Sequence, residues 1–332
     1  MTHKLSYNKK IVLLSAVVVA LAIVYILTFV LDQGNRRSRA FAWLDSSFFD
    51  MADRIEIYGI NGNMELVRRN NVWFLSTGMD DPKDSPTEYP AKQGRVEDLF
   101  AALSRKDAYP LRATSREARQ RLGLTEDSAS RIIVRGGAGL PLLDLLIGKA
   151  VAVGSEIYLR REGWNEIFSG EDRFTLFTDS SPDSWYDLRL FSNIESGRPL
   201  YSIDDVQQAN IRPSDGAAIT LRRSGAGWII QGNESAVDNT RVDAWLRSVL
   251  EAEGEDFANA NLADANFGDA NFGDSDSITL WFGDGTSRSI QVSISDDQDY
   301  RKITVSGSLY TYIIGERIYN NLFRGSTYFL RQ

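Results

Sequence analysis

The residues able to do chemistry in this chain are fewer than its 332-residue length would suggest. It contains one histidine, His3, and no cysteine. Beyond residue 3 it therefore offers no Ser-His-Asp triad, no thiolate nucleophile and no zinc site built on His or Cys. Arg135-Gly136-Gly137-Ala138-Gly139 is glycine-rich and follows an apolar run. A phosphate cradle would need a helix directly afterwards and a P-loop lysine or a third spaced glycine. Leu140-Pro141-Leu142-Leu143-Asp144-Leu145 follows instead, which predicts a hairpin turn. Asp264, Asp269, Asp274 and Asp276 form one acidic set, and Asp296, Asp297 and Asp299 another. Neither has the alternating spacing and trailing glutamate of a calcium loop, and both read as solvated surface. No catalytic, cofactor or metal residue emerges.

Two recurring polar features remain as a candidate interaction surface. Asn261, Asn266 and Asn271 sit in Ala-Asn-Leu or Ala-Asn-Phe triplets spaced five residues apart. The spacing resembles the pentapeptide repeat, although so few repeats make about one coil and cannot stack a core. Arg68-Arg69 and Arg222-Arg223 close two similar strands. Alternation lets only one arginine of each pair face a given side, so solvated edge charge competes with an anion site there. Trp73 and Trp228 follow the ensuing turns and read as core.

The elements that would position these residues begin with the run Ile11–Leu31, 21 residues without charge, proline or glycine. At ~1.5 Å per helical residue it spans about 30 Å, the hydrocarbon thickness of a bilayer. Its ends, Ile11 and Leu31, bound the expected membrane anchor. The run is longer than a signal-peptide core, and Arg36, Arg37 and Arg39 separate it from Ala40-Phe41-Ala42, the nearest imitation of a cleavage site. Lys4, Lys9 and Lys10 precede it, so the basic residues are nearly balanced. A ten-residue tail inside with some 300 residues exported is the expected arrangement. Absence of disulfides suits a bacterial periplasm, and the net charge of −8 argues against a nucleic-acid partner on electrostatic grounds.

The exported part reads as one module written twice. Met51–Ser76 and Gln208–Gln231 each alternate through a hairpin, an Arg-Arg pair, a turn and a Trp-led strand. A helix follows: Val96, Leu99, Phe100 and Leu103 in one copy correspond to Val242, Trp245, Leu246 and Val249 in the other. A second hairpin, a last strand pair and a short helix recur, and Arg95/Arg241 and Ile132/Ile278 keep an offset of 146. The expected fold is thus α+β: a transmembrane helix followed by two tandem duplicated modules, each a mostly antiparallel sheet with a packed helix. The expected layout is a cytoplasmic tail (1–10), the transmembrane helix (11–31), a stalk (32–50) helical around Phe41–Phe49, module 1 (51–178), a linker (179–206) and module 2 (207–332). Module 2 carries the pentapeptide-like insertion (258–274).

Asp53–Ile57, Leu66–Leu75, Arg95–Leu103 and Trp185–Phe191, behind an uncharged anchor, resemble the domain of unknown function 4340 family. The resemblance implies a bacterial, membrane-anchored protein, often encoded beside ABC-type transport systems of the kind linked to gliding motility, and an auxiliary role there. It carries no catalytic residues and no cofactor. The expected function is a non-enzymatic, single-pass interaction or scaffold protein of the inner membrane whose partners are the membrane and an ABC transporter permease or another envelope protein. The alternatives are a binding module for an extracytoplasmic glycan or lipid and, third, a hydrolase working with carboxylates alone.

Overall fold

The computed structural model describes residues 18–21, 24, 38–77, 87–152, 154–193, 198–213, 216–225, 227–233, 236–258, 275–294 and 300–331. The expected tail (1–10), both anchor ends Ile11 and Leu31, and Asn261, Asn266 and Asn271 lie outside them. Within the anchor run, residues 18–21 and 24 are helical and Val18, Val19, Leu21 and Val24 are exposed. Among the described residues no helix is long and apolar enough to cross a membrane.

The fold is mixed α+β, with two antiparallel sheets and few helices. The strands are β1 (Ser38–Phe41), β2 (Ala52–Gly59), β3 (Gly62–Arg69), β4 (Val72–Thr77), β5 (Thr87–Pro90), β6 (Asp107–Ala113), β7 (Ser130–Gly136), β8 (Leu140–Ala150), β9 (Glu156–Arg161) and β10 (Ile167–Glu171). They continue as β11 (Ser192–Asn193), β12 (Arg198–Pro199), β13 (Val206–Arg212), β14 (Ile219–Ser224), β15 (Gly227–Ile230), β16 (Asp256–Phe257), β17 (Asp276–Phe282), β18 (Ser287–Ile294), β19 (Arg301–Val305) and β20 (Thr311–Ile314). The helices are α1 (Gln93–Ser104), α2 (Arg116–Arg121), α3 (Thr175–Thr178), α4 (Asn239–Leu250) and α5 (Glu316–Leu322).

The chain divides into two compact units, Met1–Asn63 with Asp98–Ser180, and Met64–Glu97 with Ser181–Gln332. In the first unit the strand order is β1-β6-β10-β9-β8-β7-β2, all antiparallel. Alternation explains its core: Ile55 and Ile57 on β2 lie opposite Val134 and Ile132 on β7, and all four are fully buried. The glycine-rich Arg135–Gly139 stretch is the turn of the β7–β8 hairpin, with Ala138 and Gly139 at positive φ. The segment expected as a helical stalk departs from that expectation. Ser38–Phe41 pairs with β6 and Ser46–Phe48 forms a single 3-10 turn. The cause is aromatic: Phe41 and Trp43 pack against Tyr109 and Phe168 at ring distances of 4.8 to 6.1 Å, and that burial outweighs local helix preference.

In the second unit β3, β4 and β5 form an antiparallel meander, and an eight-stranded sheet runs β15-β14-β13-β17-β18-β19-β20-β16. Five of its strands repeat an order also seen in the first unit: β20-β19-β18-β17-β13 follows the same plan as β10-β9-β8-β7-β2. The lead into each long helix is also alike. Gln93 accepts from the Trp73 N–H and donates to the Trp73 carbonyl, while Asn239 accepts from the Trp228 N–H.

The stretch read as a linker (179–206) contributes several core residues. A 3-10 turn at Pro182–Trp185 seats Trp185, which is fully buried, and Tyr186, Asp187, Leu190 and Phe191 are buried after it. The Trp185 carbonyl accepts from the Lys92 N–H, and the Arg95 guanidinium lies 4.6 Å from the Trp185 ring centroid. A second 3-10 turn, Ser326–Phe329, buries Phe329 in the same way and returns to Val237. Turn-forming residues signal a change of direction, and in both places that change brings an aromatic ring into the core.

Candidate functional site

One cleft, wholly within the second unit, gathers polar side chains from four places in the chain. β5 supplies Tyr89, and the segment after the Pro182–Trp185 turn supplies Tyr186, with Asp183 inside that turn. β16 supplies Asp256 and Phe257, and Ala258 follows. Lys302 on β19 and Ile313 on β20 are cross-strand partners, and Tyr300 stands just before β19. The cleft is partly open to solvent, and its volume of about 360 Å³ is within the range of small-ligand sites.

The floor is aromatic. Tyr89 stacks on Phe257 with ring centroids 4.5 Å apart, and Tyr186 meets Phe257 edge-on at 5.2 Å. Pairing of Ala91 with Tyr186, and an Asp187 N–H donated to the Pro90 carbonyl, lock the two tyrosine-bearing segments side by side. Burial raises the Tyr89 phenol above its usual range, with the nearby Asp256 carboxylate adding to the rise. Burial likewise pushes Tyr186 to about 12, helped by Asp183 and Asp256. Both phenols therefore stay protonated at neutral pH and keep a hydrogen to donate.

Tyr312, which pairs with Phe257 from β20, is buried and its phenol is also raised to about 12 by that burial. Its proton is held more tightly in the folded chain than at the ordinary value of 10.0. The stability it contributes is thus complete below pH 10 and is lost as pH rises towards 12. Alkaline titration should show delayed tyrosinate absorbance that develops together with unfolding. Normal ionisation of every tyrosine near pH 10 with the fold intact would contradict this.

The residues singled out by sequence lie elsewhere. Arg68 on β3 sits over the Trp73 ring at 5.9 Å. Arg222 on β14 is exposed, opposite Gln208 and Ile229. The arginine that covers Trp228 is its neighbour Arg223, 4.8 Å from the ring, which also donates to the Val206 and Ile203 carbonyls. Cross-strand register therefore matches Arg68 with Arg223, one residue away from the sequence alignment of the Arg-Arg pairs. The two hairpins are equal in length, with two residues between Arg69 and Val72 and two between Ser224 and Gly227, so Ser224 stands where the first hairpin has Arg69. Of the acidic sets, Asp276 is buried and accepts the Tyr319 hydroxyl at 2.8 Å, while Asp264, Asp269, Asp274, Asp296, Asp297 and Asp299 lie outside the described residues. No group of three or more His, Cys, Asp or Glu suited to a metal occurs among the described residues.

The cleft residues escaped the sequence reading. The usable signal was Trp185-Tyr186-Asp187, a cluster too apolar for a connector.

The profile of the family described as Domain of unknown function (DUF4340) matches residues 83–271, more than half of the chain. The chain belongs to the DUF4340 family. The matched region includes Tyr89, Asp183, Tyr186, Asp256 and Phe257, so much of the cleft lies within the family domain. No curated protein and no solved structure matches the chain.

Proposed function

We propose that this DUF4340 protein is a non-enzymatic, single-pass interaction protein of a bacterial inner membrane, holding two duplicated α+β modules on the extracytoplasmic side beside an ABC-type transporter. The observation that carries the reading is the cleft. Its walls present phenols, two carboxylates and one ammonium, groups suited to recognition, in a chain that has no histidine after residue 3 and no cysteine. The uncharged run Ile11–Leu31 supports the anchor. Several features support the duplication: the shared strand order, the paired 3-10 turns, and the amide side chains Gln93 and Asn239, which sit 146 residues apart at matching helix starts. Arg68 and Arg222 remain proposed surface contacts, as do Asn261, Asn266 and Asn271.

The full chain should stay with carbonate-washed membranes, and deletion of residues 11–31 should release it. Cross-linking in native membranes should recover a permease or another envelope protein. Carbonate extraction of the intact chain, or recovery without any envelope partner, would count decisively against the proposal. A second reading, binding of a small extracytoplasmic ligand, is favoured by the same cleft. Its polar lining suits a hydrophilic ligand better than a lipid.

A further inference from the structure

Two side chains of the cleft carry hydroxyls that the described residues leave unbonded. Tyr89 and Tyr186 are each only 7 % exposed, and their rings are fixed by contact with Phe257. Both line the cleft, and neither hydroxyl has a hydrogen-bond partner among the described residues. A phenol can donate once and accept as well, and these two hydroxyls open onto the cleft. Two such groups held rigidly at one cleft leave directional bonding capacity for whatever enters it.

The surrounding groups narrow the chemistry. Asp183 and Asp256 only accept, Lys302 only donates, and the two phenols do both. An anion would be opposed by the two carboxylates. A simple cation would be opposed by Lys302 and would leave the phenols' acceptor and donor capacity unmatched. An acyl chain would desolvate all of these groups without pairing any of them. A ring bearing adjacent hydroxyls presents donors and acceptors a few ångströms apart, and its C–H face can lie on apolar surface such as Ile313 and Phe257. We propose that this cleft binds a saccharide, with the Tyr89 and Tyr186 hydroxyls, the Asp183 and Asp256 carboxylates and the Lys302 ammonium taking its hydroxyl groups. The volume of about 360 Å³ suits one or two rings. The inference rests on the recognition reading above and names its ligand class.

The test uses the full-length chain in lipid nanodiscs, avoiding sugar-based detergents that would compete. Saturation-transfer NMR is recorded with glucose, N-acetylglucosamine and a disaccharide of each, and with arginine methyl ester and inorganic phosphate as charged probes. At least one saccharide should bind, and Tyr186→Phe and Tyr89→Phe should each weaken it about tenfold, the loss of one hydrogen bond. Asp256→Asn, an isosteric change on an exposed residue, provides a second variant should a tyrosine variant unfold. Tyr201→Phe, which alters a ring stacked on Phe282 outside the cleft, should leave binding unchanged. Absence of saccharide binding, binding that ignores the cleft variants, or preferential binding of either charged probe would overturn the assignment. A chain that holds to carbonate-washed membranes and cross-links an envelope partner, yet binds no saccharide, would overturn this inference alone.

Discussion

Trp185→Ala is expected to destabilise the second unit by about 3–5 kcal/mol, the range for removing a large buried aromatic. Trp185 is fully buried, its ring faces the Arg95 guanidinium at 4.6 Å, and its carbonyl holds the Lys92 N–H at 2.8 Å. Removing the indole would leave a void, because the 3-10 turn that presents it is anchored on both sides and cannot collapse inward. The turn also carries Asp183 and leads directly into Tyr186, so the cleft should loosen along with the core. Denaturant unfolding of the full chain, followed by circular dichroism, gives the stability change. Trp185→Phe should cost less, since it keeps much of the apolar volume and an aromatic face for Arg95. Phe329→Ala, at the Ser326–Phe329 turn, should behave like Trp185→Ala if the modules are duplicates. A loss under about 1 kcal/mol for Trp185→Ala would mean that the former linker region is not core.

The second large effect is expected at Gly59, the last residue of β2. A methyl group built there would fall inside the van der Waals radius of the Thr178 carbonyl oxygen, with the carbonyl carbon 2.7 Å away. The obstacle is backbone at the end of α3, so no side-chain rotation relieves it. Asn61 further ties this corner by donating its side-chain amide to the Asp179 carbonyl. Gly59→Ala should therefore cost at least about 3 kcal/mol, the upper end of ordinary overpacking. It should act on the first unit. Gly94→Ala is the matched control: it lies in α1, where an added methyl meets nothing within 4 Å. There alanine should be neutral or stabilising, by up to about 1 kcal/mol. Thermal unfolding of the two variants side by side separates close approach from a general intolerance of alanine. Equal behaviour would show that the β2–α3 contact is looser than the structure places it.

What sequence could yield followed from local periodicity. Alternation around Asn-Gly, Asp-Gly and Ser-Gly turns marks the hairpins, and the i, i+3, i+4, i+7 spacing of Val96, Leu99, Phe100 and Leu103 marks a helix whose named residues are all buried. The α+β class follows from those two periods. The absence of cysteine, and of histidine after residue 3, is a property of composition and needed no coordinates. The family resemblance also rested on local strings, among them Trp185–Phe191, and it was enough to place the chain.

Tertiary structure decided what depends on distant partners. Ser38–Phe41 is a strand because Phe41 and Trp43 find Tyr109 and Phe168, residues 66 or more positions away that no local window contains. Trp185–Phe191 lies in a stretch that reads as linker because its prolines, serines and aspartates are turn formers; only the fold shows that the turn delivers an indole to the core. The correspondence of Arg68 with Arg223 appears only in the cross-strand register, where Arg68 lies opposite Trp73 and Arg223 opposite Trp228, and the repeated Arg-Arg spelling hides it. The cleft is the clearest case. Tyr89, Tyr186, Asp256 and Lys302 span more than 200 residues and share no motif, so their convergence exists only where β5, β16, β19 and the Pro182–Trp185 turn meet. Periodicity reports which face of an element is buried, whereas a site depends on which faces are brought together.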